Sequence, residues 1–399
     1  MTVMNETGIP RLKSIFMFAP YERASYWYTY ELLSVLTEEA KTRNVRISLV
    51  TSTNLPARYR DADYPISCIL PLLIHRDQHG SPLEWALSRI IYFTSRERRF
   101  MRWIEKQHPP DGIHFQVYTP WMAPIHFKRL RARGKALFFT VHNVLPHEYP
   151  PLIPKSLFDF LTRLGLRQCN ALFTHTEYLK SQLSQFLGTG HPPIVVTPLG
   201  VRTPPGNRPD SENPSQRLRL MSILFFGAIR SNKGLPVLVR AMQDLPDFAL
   251  TIAGEPSSPS MREEAARLVA TLPLDRVRFL SRHIEEDEIP ELFASSSALV
   301  LPYTSLSSQS GVLHLAVTHS TPVVVSDVAG MGQEVRSWGI GEVVAPNDDK
   351  SLVKAIRDLH QPARYLGAFE AIRALRRGLS WEPGAKIAID TYLSTIRGA

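Results

Sequence analysis

Residues 221–243, MSILFFGAIRSNKGLPVLVRAMQ, decide the reading of the fold. The apolar run 221–227 has the length of a strand and ends in Gly227. Arg230 and Lys233 follow in a short polar loop, and Leu235 opens a segment of helical spacing. Outward from this strand–loop–helix unit the alternation continues to the C-terminus. Strand-like runs stand at 248–254, 277–280, 298–302, 322–325 and 341–344. Helical segments stand at 261–272, 289–296, 311–319, 350–359, 363–378 and after Trp381. Towards the N-terminus the pattern recurs, with strand-like runs at 14–20, 46–52, 113–118, 136–142, 171–177 and 193–200. Helical stretches at 27–41, 82–107, 121–134, 156–168 and 178–187 separate them. Strands alternating with helices predict a parallel sheet covered on both faces. Residues 202–216 (RTPPGNRPDSENPSQ) carry four prolines and no large apolar residue, the composition of a linker. The expected fold class is α/β, with two doubly wound Rossmann-like domains over 1–201 and 217–380 and a last helix over 381–399. Ligands are expected at the carboxyl ends of the strands, in a cleft between the domains.

Composition narrows the function. A chain of 399 residues with 44% hydrophobic and 21% charged residues folds into two to three domains without help from disulfides or metals. Cys68 and Cys169 are the only cysteines, which excludes a disulfide framework and a Cys-rich zinc site and fits a reducing compartment. No run of 18 apolar residues exists, and the first 20 residues lack the order of a signal peptide, so a cytoplasmic location is expected. The net charge of +9 lies in one half. Residues 1–200 hold 24 Lys+Arg and 15 Asp+Glu, whereas residues 201–399 hold 22 of each. A basic half points to an acidic partner: a membrane surface, nucleic acid or an anionic acceptor.

Three motifs can carry chemistry. In FFGAIRSNKG, residues 225–234, Gly227 lets a ligand approach the backbone, and the helix after it offers free N–H groups and a positive dipole end. Arg230 and Lys233 in that loop suit a diphosphate, each charge-assisted contact contributing about 1.5–3 kcal/mol. The plainer alternative is a turn with two solvated cations. In SSQSGVLHLAVTHSTPVVVSDVAG, residues 307–330, Ser310, Gly311 and Val312 would present N–H groups at a helix start as a second anion site. The alternative there is a turn that caps a helix. In FFTVHNVLPHEYP, residues 138–150, His142 ends an apolar strand and could act on a sugar hydroxyl or orient a substrate. A metal pair with His147 is an unspecific option, and a loop histidine bonded to backbone is the plain one. His314 and His319 read as packing or surface residues. No P-loop, G-x-G-x-x-G, G-x-S-x-G or H-E-x-x-H motif is present, nor any nucleic-acid-binding signature.

In this order and on these two halves, the motifs resemble the retaining GT-B glycosyltransferases of family 4. FGAIRSNKG resembles that family's donor-diphosphate loop. IAGE (252–255), the acidic segment 284–293 read as a helix, LPY (301–303), QSGVL (309–313) and TPVVVSDVAG (321–330) follow at the family's spacing. VTPLGV (196–201) resembles the inter-domain exit strand, and the segment from Trp381 resembles the helix that crosses back to the first domain. VHNVLPHE is similar to a histidine-bearing loop that lines the cleft. The resemblance implies transfer of a sugar from a nucleotide-diphospho-sugar, with retention and without a metal or other cofactor. It places Arg230 and Lys233 at the diphosphate, where they would stabilise the leaving group. Gly227, Glu255, Gln309, Ser310, Gly311 and Val312 would bind the donor, and His142 would face the donor sugar or acceptor. The acceptor would be a glycan, lipid-linked or other hydroxyl, in surface polysaccharide or glycolipid synthesis. Two features depart from the family. Its paired glutamates fall on Ser307 and Leu315, and the first turn, APYERASYW, lacks the usual glycine pair. A catalytically inactive GT-B subunit and a nucleotide-sugar epimerase therefore stand as alternatives.

The resemblance also orders the partners of the basic half. On the helix 82–107, Arg89, Arg96, Arg99, Arg102 and Lys106 fall mostly on one side, and Leu83, Leu87, Ile90, Ile91, Met101 and Ile104 mostly on the other. Ser81, Pro82 and Glu84 read as its capping box. KRLRARGK (128–135) adds further cations. An anionic membrane or glycolipid now outranks nucleic acid as the partner, with a solvated basic face as the plain alternative.

Overall fold

A computed structural model describes residues 12–21, 26–71, 82–107, 110–146, 149–150, 152–201, 213–306 and 310–397. The chain divides into two compact units, Met1–Gly200 with Trp381–Ala399, and Val201–Ser380.

The first unit holds a parallel sheet of seven strands: β1 (Lys13–Phe18), β2 (Val45–Ser52), β3 (Ile66–Leu70), β4 (Gly112–Phe115), β5 (Ala136–Thr140), β6 (Ala171–Thr174) and β7 (Ile194–Val196). Their spatial order is β3-β2-β1-β4-β5-β6-β7. The helices between them are α1 (Tyr26–Thr42), α2 (Pro82–Ile104), α3 (Ala123–Ala132), α4 (Lys155–Leu166) and α5 (Glu177–Leu187). Side chains alternate across the sheet. Ile15, Met17 and Phe138 pack with Leu33 and Leu36 of α1. Phe18, Phe115 and Leu137 pack on the other face with Phe100 of α2, Phe127 of α3 and Leu183 of α5. The last helix, α14 (Glu382–Arg397), covers the α1 face through Ile389 and Tyr392.

The second unit holds a parallel sheet of six strands: β8 (Ser222–Phe226), β9 (Ala249–Ala253), β10 (Val277–Leu280), β11 (Ala298–Leu301), β12 (Val323–Ser326) and β13 (Gly341–Val344). Their order is β10-β9-β8-β11-β12-β13. The helices are α6 (Pro214–Leu218), α7 (Leu235–Gln243), α8 (Pro259–Val269), α9 (Ile289–Ala294), α10 (Gly311–Thr318), α11 (Met331–Trp338), α12 (Asp349–Leu359) and α13 (Pro362–Gly378). Both units are thus doubly wound α/β sheets, as the alternation predicts.

Five features differ from the sequence reading. β3 and α11 lie in stretches not assigned to elements. β3 is an edge strand, half-buried up to the buried Leu70, and α11 is a short helix entered and left through the left-handed glycines Gly330 and Gly339. The end of the proline-rich linker is helical. Asn213 caps α6 by accepting from the Ser215 N–H, Pro214 fits its first turn, and buried Arg217 anchors it. The acidic segment 284–293 is helical only from Ile289, because Glu288 turns its carboxylate back to the Glu285 N–H and to Arg282. On α2, Arg96 is buried rather than solvated, ion-paired to Glu97 and stacked on Phe93, while Leu87 and Ile91 stand exposed. Ser81 and the Leu83 side chain lie outside the described residues.

Candidate functional site

In the second unit the strand order reverses between β8 and β11, and a doubly wound sheet opens a ligand crevice there, at the carboxyl ends of its strands. β8 delivers Gly227, with φ of 106°, to that crevice. A Cβ at Gly227 would come within 3.2 Å of Val312 Cγ2, so the β8 loop and the start of α10 are neighbours. The loop is clamped from the side. Gly227 N–H donates to the Ala253 carbonyl and Ile229 N–H to the Glu255 carbonyl, at 3.0 and 2.9 Å. Gly254 permits this approach, since its Cβ would lie 1.9 Å from the Gly227 oxygen. The Glu255 side chain itself is exposed.

The two cations of the loop are held differently. Lys233 Nζ lies over the Tyr303 ring, 3.8 Å from its centroid, a cation–π contact at the end of β11. The Tyr303 hydroxyl is buried and has no hydrogen-bond partner among the described residues. Asn232 ties the loop to the same strand end, donating from its amide to the Ser305 carbonyl and accepting from the Thr304 N–H, both at 3.0 Å. Arg230 is half-buried, and no carboxylate pairs with it or with Lys233 among the described residues. Ser310 caps α10 by accepting from the Leu313 N–H, which leaves Gly311 and Val312 as the first N–H groups of the helix. The end of β8 and the start of α10 thus bring a loop with two cations beside a helix N-terminus, a combination that suits an anion. Leu315 is buried in the core of α10. Gln309 and Ser307 lie outside the described residues.

In the first unit, polar side chains converge at the ends of β4, β5 and β6. His142 follows β5. Its Nε2 lies 3.0 Å from Gln116 Oε1, just past β4, and its Nδ1 lies 3.1 Å from His175 Nε2, just past β6. The Gln116 amide nitrogen donates to Met17 Sδ at 3.6 Å. His175 Nδ1 donates to the Thr197 carbonyl at 3.1 Å. The Tyr28 ring meets both imidazoles edge-on, at 5.0 and 5.2 Å between centroids. Burial holds the His142 imidazole well below the ordinary histidine range, and the neighbouring His175 and His114 lower it further. Beneath them His114 Nε2 lies 2.7 Å from Thr140 Oγ1, and burial brings its pKa down to about 3. Gln116, His175 and Tyr28 carried no role in the sequence reading. His175 ends a strand in ALFTHTE just as His142 ends one in FFTVH, so the strand-end rule reaches it once applied to every strand. His147 lies outside the described residues, and no group of three or more His, Cys, Asp or Glu able to hold a metal is found among the described residues. His314 and His319 pack against Trp338 and Phe293.

Comparison with known proteins bears on the family and the fold. The family described as glycosyltransferase family 4 matches residues 28–203, and the family described as glycosyl transferases group 1 matches residues 221–361. The chain is 28% identical over 246 residues to a glycogen synthase of Mycobacterium tuberculosis, covering 58% of this chain and 56% of that one. It is 29% identical over 210 residues to a GDP-mannose:glycolipid 4-beta-D-mannosyltransferase of Xanthomonas campestris, covering 51% and 53%. The matches thus span about half the length of these relatives. Sucrose-phosphate synthase from Thermosynechococcus elongatus superposes with a TM-score of 0.70 at 15% identity, over 97% of this chain and 100% of that one. Two family matches that together take in most of both units, on a fold shared over the whole length, make this chain a member of the group 1 glycosyltransferases with a two-domain GT-B fold.

Proposed function

We propose that this protein transfers a sugar from a nucleotide-diphospho-sugar to a hydroxyl acceptor, with retention at the anomeric carbon and without a metal. The observation that carries this reading is the crevice at the ends of β8 and β11, where the loop that carries Arg230 and Lys233 neighbours the start of α10 and no carboxylate pairs with either cation among the described residues. The sugar–diphosphate bond breaks, and negative charge builds on the departing diphosphate. Arg230, Lys233 and the N–H groups at the start of α10 stabilise that charge without a metal ion. Gly227 lets the phosphates approach the backbone, and Gln309, Ser310 and Val312 complete the donor side. His142 faces the donor sugar or the acceptor hydroxyl. The test is incubation with UDP-, GDP- and ADP-sugars and a lipid extract, followed by nucleotide release and product analysis. Transfer with one pair supports the reading. Nucleotide binding with no transfer from any pair would instead support an inactive subunit, the reading favoured by Leu315 where the family carries an acid. Sugar epimerisation without an acceptor would overturn both.

We infer further that the acceptor is lipid-linked and met at an anionic membrane, in glycolipid or surface polysaccharide synthesis. No helix among the described residues is long and apolar enough to cross a membrane. The support is the outer face of α4 and its neighbour α3. Leu157, Phe160 and Leu164 stand exposed one to two turns apart on α4, and Ile125 stands 68% exposed on α3. The helices are packed together, Gly165 against Ala123, with Gln168 donating to the Pro124 carbonyl. Residues 123–168 carry eight Lys and Arg against two Asp and Glu. An apolar stripe with a basic rim suits an anionic lipid surface, as does the resemblance to a mannosyltransferase whose name gives a glycolipid acceptor. In liposome sedimentation, anionic vesicles should bind the protein and neutral ones should not. Equal binding to both at low salt would sink the idea. Phe160→Ser with Leu164→Ser should release the protein from anionic vesicles.

A further inference from the structure

His142 is built into a chain whose far end is a backbone carbonyl, and that end fixes the protons. The Thr197 carbonyl can only accept, so His175 Nδ1 carries a hydrogen. A neutral His175 then keeps its lone pair on Nε2, and this atom lies 3.1 Å from His142 Nδ1. His142 Nδ1 must donate to it. Nothing in this step depends on the charge of His142. If His142 is neutral, its lone pair sits on Nε2 and takes a hydrogen bond from the NH2 of the Gln116 amide, after a half-turn of that amide from the orientation in which Oε1 faces His142 and the nitrogen faces Met17 Sδ. If it is protonated, Nε2 donates to the Gln116 oxygen instead. An amide presents a donor or an acceptor after a half-turn, so Gln116 pairs with either state.

We propose that His175 is a positioning residue that holds His142 as the Nδ1–H form, so that Nε2 is the single atom through which His142 takes up or gives up a proton. Several packing contacts keep the geometry. Tyr28 meets both rings edge-on, Trp381 meets Tyr28 at 5.6 Å, and His175 is buried whereas His142 keeps part of its surface open. A histidine tautomer is set by the bond its other nitrogen makes, and here a second histidine makes it. The consequence for transfer rests on the reading that His142 meets a sugar or acceptor hydroxyl, which then takes the place of Gln116 at Nε2.

The test is a long-range ¹H–¹⁵N correlation on protein with labelled imidazoles at neutral pH. In the wild type His142 should be the Nδ1–H tautomer. His175→Phe should lose that preference, and His175→Gln, whose amide oxygen can accept from Nδ1–H, should restore it. Circular dichroism and thermal melting establish that each variant is folded. With a donor–acceptor pair in hand, His175→Phe should lower kcat by about tenfold or more, the scale of a lost proton-transfer group. Its donor KM should stay within about twofold, since the diphosphate crevice lies in the other unit, and His175→Gln should recover kcat. An Nε2–H tautomer of His142 in the wild type, or an unchanged tautomer in His175→Phe, overturns the proposal. His142→Ala with wild-type transfer, beside the expected tautomer, removes the role of His142 in the reaction and leaves the positioning intact.

Discussion

Arg217 shows what a single side chain can decide. Its guanidinium is buried and donates to the carbonyls of Phe293 and Ser296, at the end of α9, to those of His319 and Ser320, after α10, and to Thr321 Oγ1. Helix C-termini carry partial negative charge and unsatisfied carbonyls, so one cation serves two of them. Arg217→Ala should cost about 3 kcal/mol of stability, read as a fall in the urea midpoint of the second unit. Arg217→Lys should recover little of it, because an ammonium cannot span this fan of acceptors. Gly234 is decisive in another way. Its φ is 71°, and a Cβ would lie 1.8 Å from the Pro302 carbonyl oxygen. Gly190 has nearly the same φ but nothing within 4 Å, so Gly190→Ala should cost only the left-handed backbone, about 1–2 kcal/mol. Gly234→Ala should cost clearly more, because the end of β11 must move. Equal melting temperatures for the two variants would contradict this. None of this was legible beforehand. Arg217 reads as one charge at the edge of a polar linker until α9 and α10 are brought to it.

At the scale of the element, the loop after β8 and the middle of α2 make contrasting cases. Arg230→Ala and Lys233→Ala should each weaken nucleotide-diphosphate binding by about ten- to a hundredfold, as expected for a lost charge-assisted contact of about 1.5–3 kcal/mol. Calorimetry against UDP, GDP and ADP measures it, and wild-type affinity in both variants would move the diphosphate elsewhere. This loop was readable because its function is local: strand, glycine, two cations and helix are contiguous in sequence. The α2 pair was not. Arg96 and Glu97 are adjacent, and both are buried at 1% and 0% exposure, with Glu97 also accepting from the Thr119 N–H and hydroxyl. Helical periodicity puts Arg96 with the solvated arginines. The rings of Phe18 and Phe93, brought from another strand and from the turn before, give its charge a place inside. Glu97→Ala should cost about 3–5 kcal/mol, since it removes the carboxylate from a buried guanidinium. Arg96→Met with Glu97→Gln should restore much of that loss in chemical denaturation.

Over the whole molecule, buried histidines set the response to acid. Burial lowers the pKa of His114 to about 3, helped by His175. Burial lowers His126 to about 4, helped by Arg129 and Arg98, and His314 to about 4. In the unfolded chain such groups take up protons near pH 6.5. Between that value and 3–4 the unfolded state therefore binds more protons than the folded one. Their contribution is fully present above about pH 6.5 and is lost as the pH falls, by about 1.4 kcal/mol per pH unit for each histidine. Urea midpoints at pH 7.5 and pH 5 should differ accordingly, and His114→Gln should flatten the slope. A midpoint independent of pH over this range would contradict the placement of these rings.

By itself the sequence determined the class of fold, the order of nearly all strands and helices, and the cation-bearing loop, because strand and helix periodicities and glycine turns are local properties of the chain. It also located the excess positive charge in one half. Only the tertiary structure decided which polar residues meet. The strand order β4-β5-β6 puts Gln116, His142 and His175 side by side although 26 and 33 residues separate them. The reversal between β8 and β11 likewise sets Lys233 over Tyr303. Contacts of this range depend on how strands are ordered in the sheet, and no periodicity along the chain records that order.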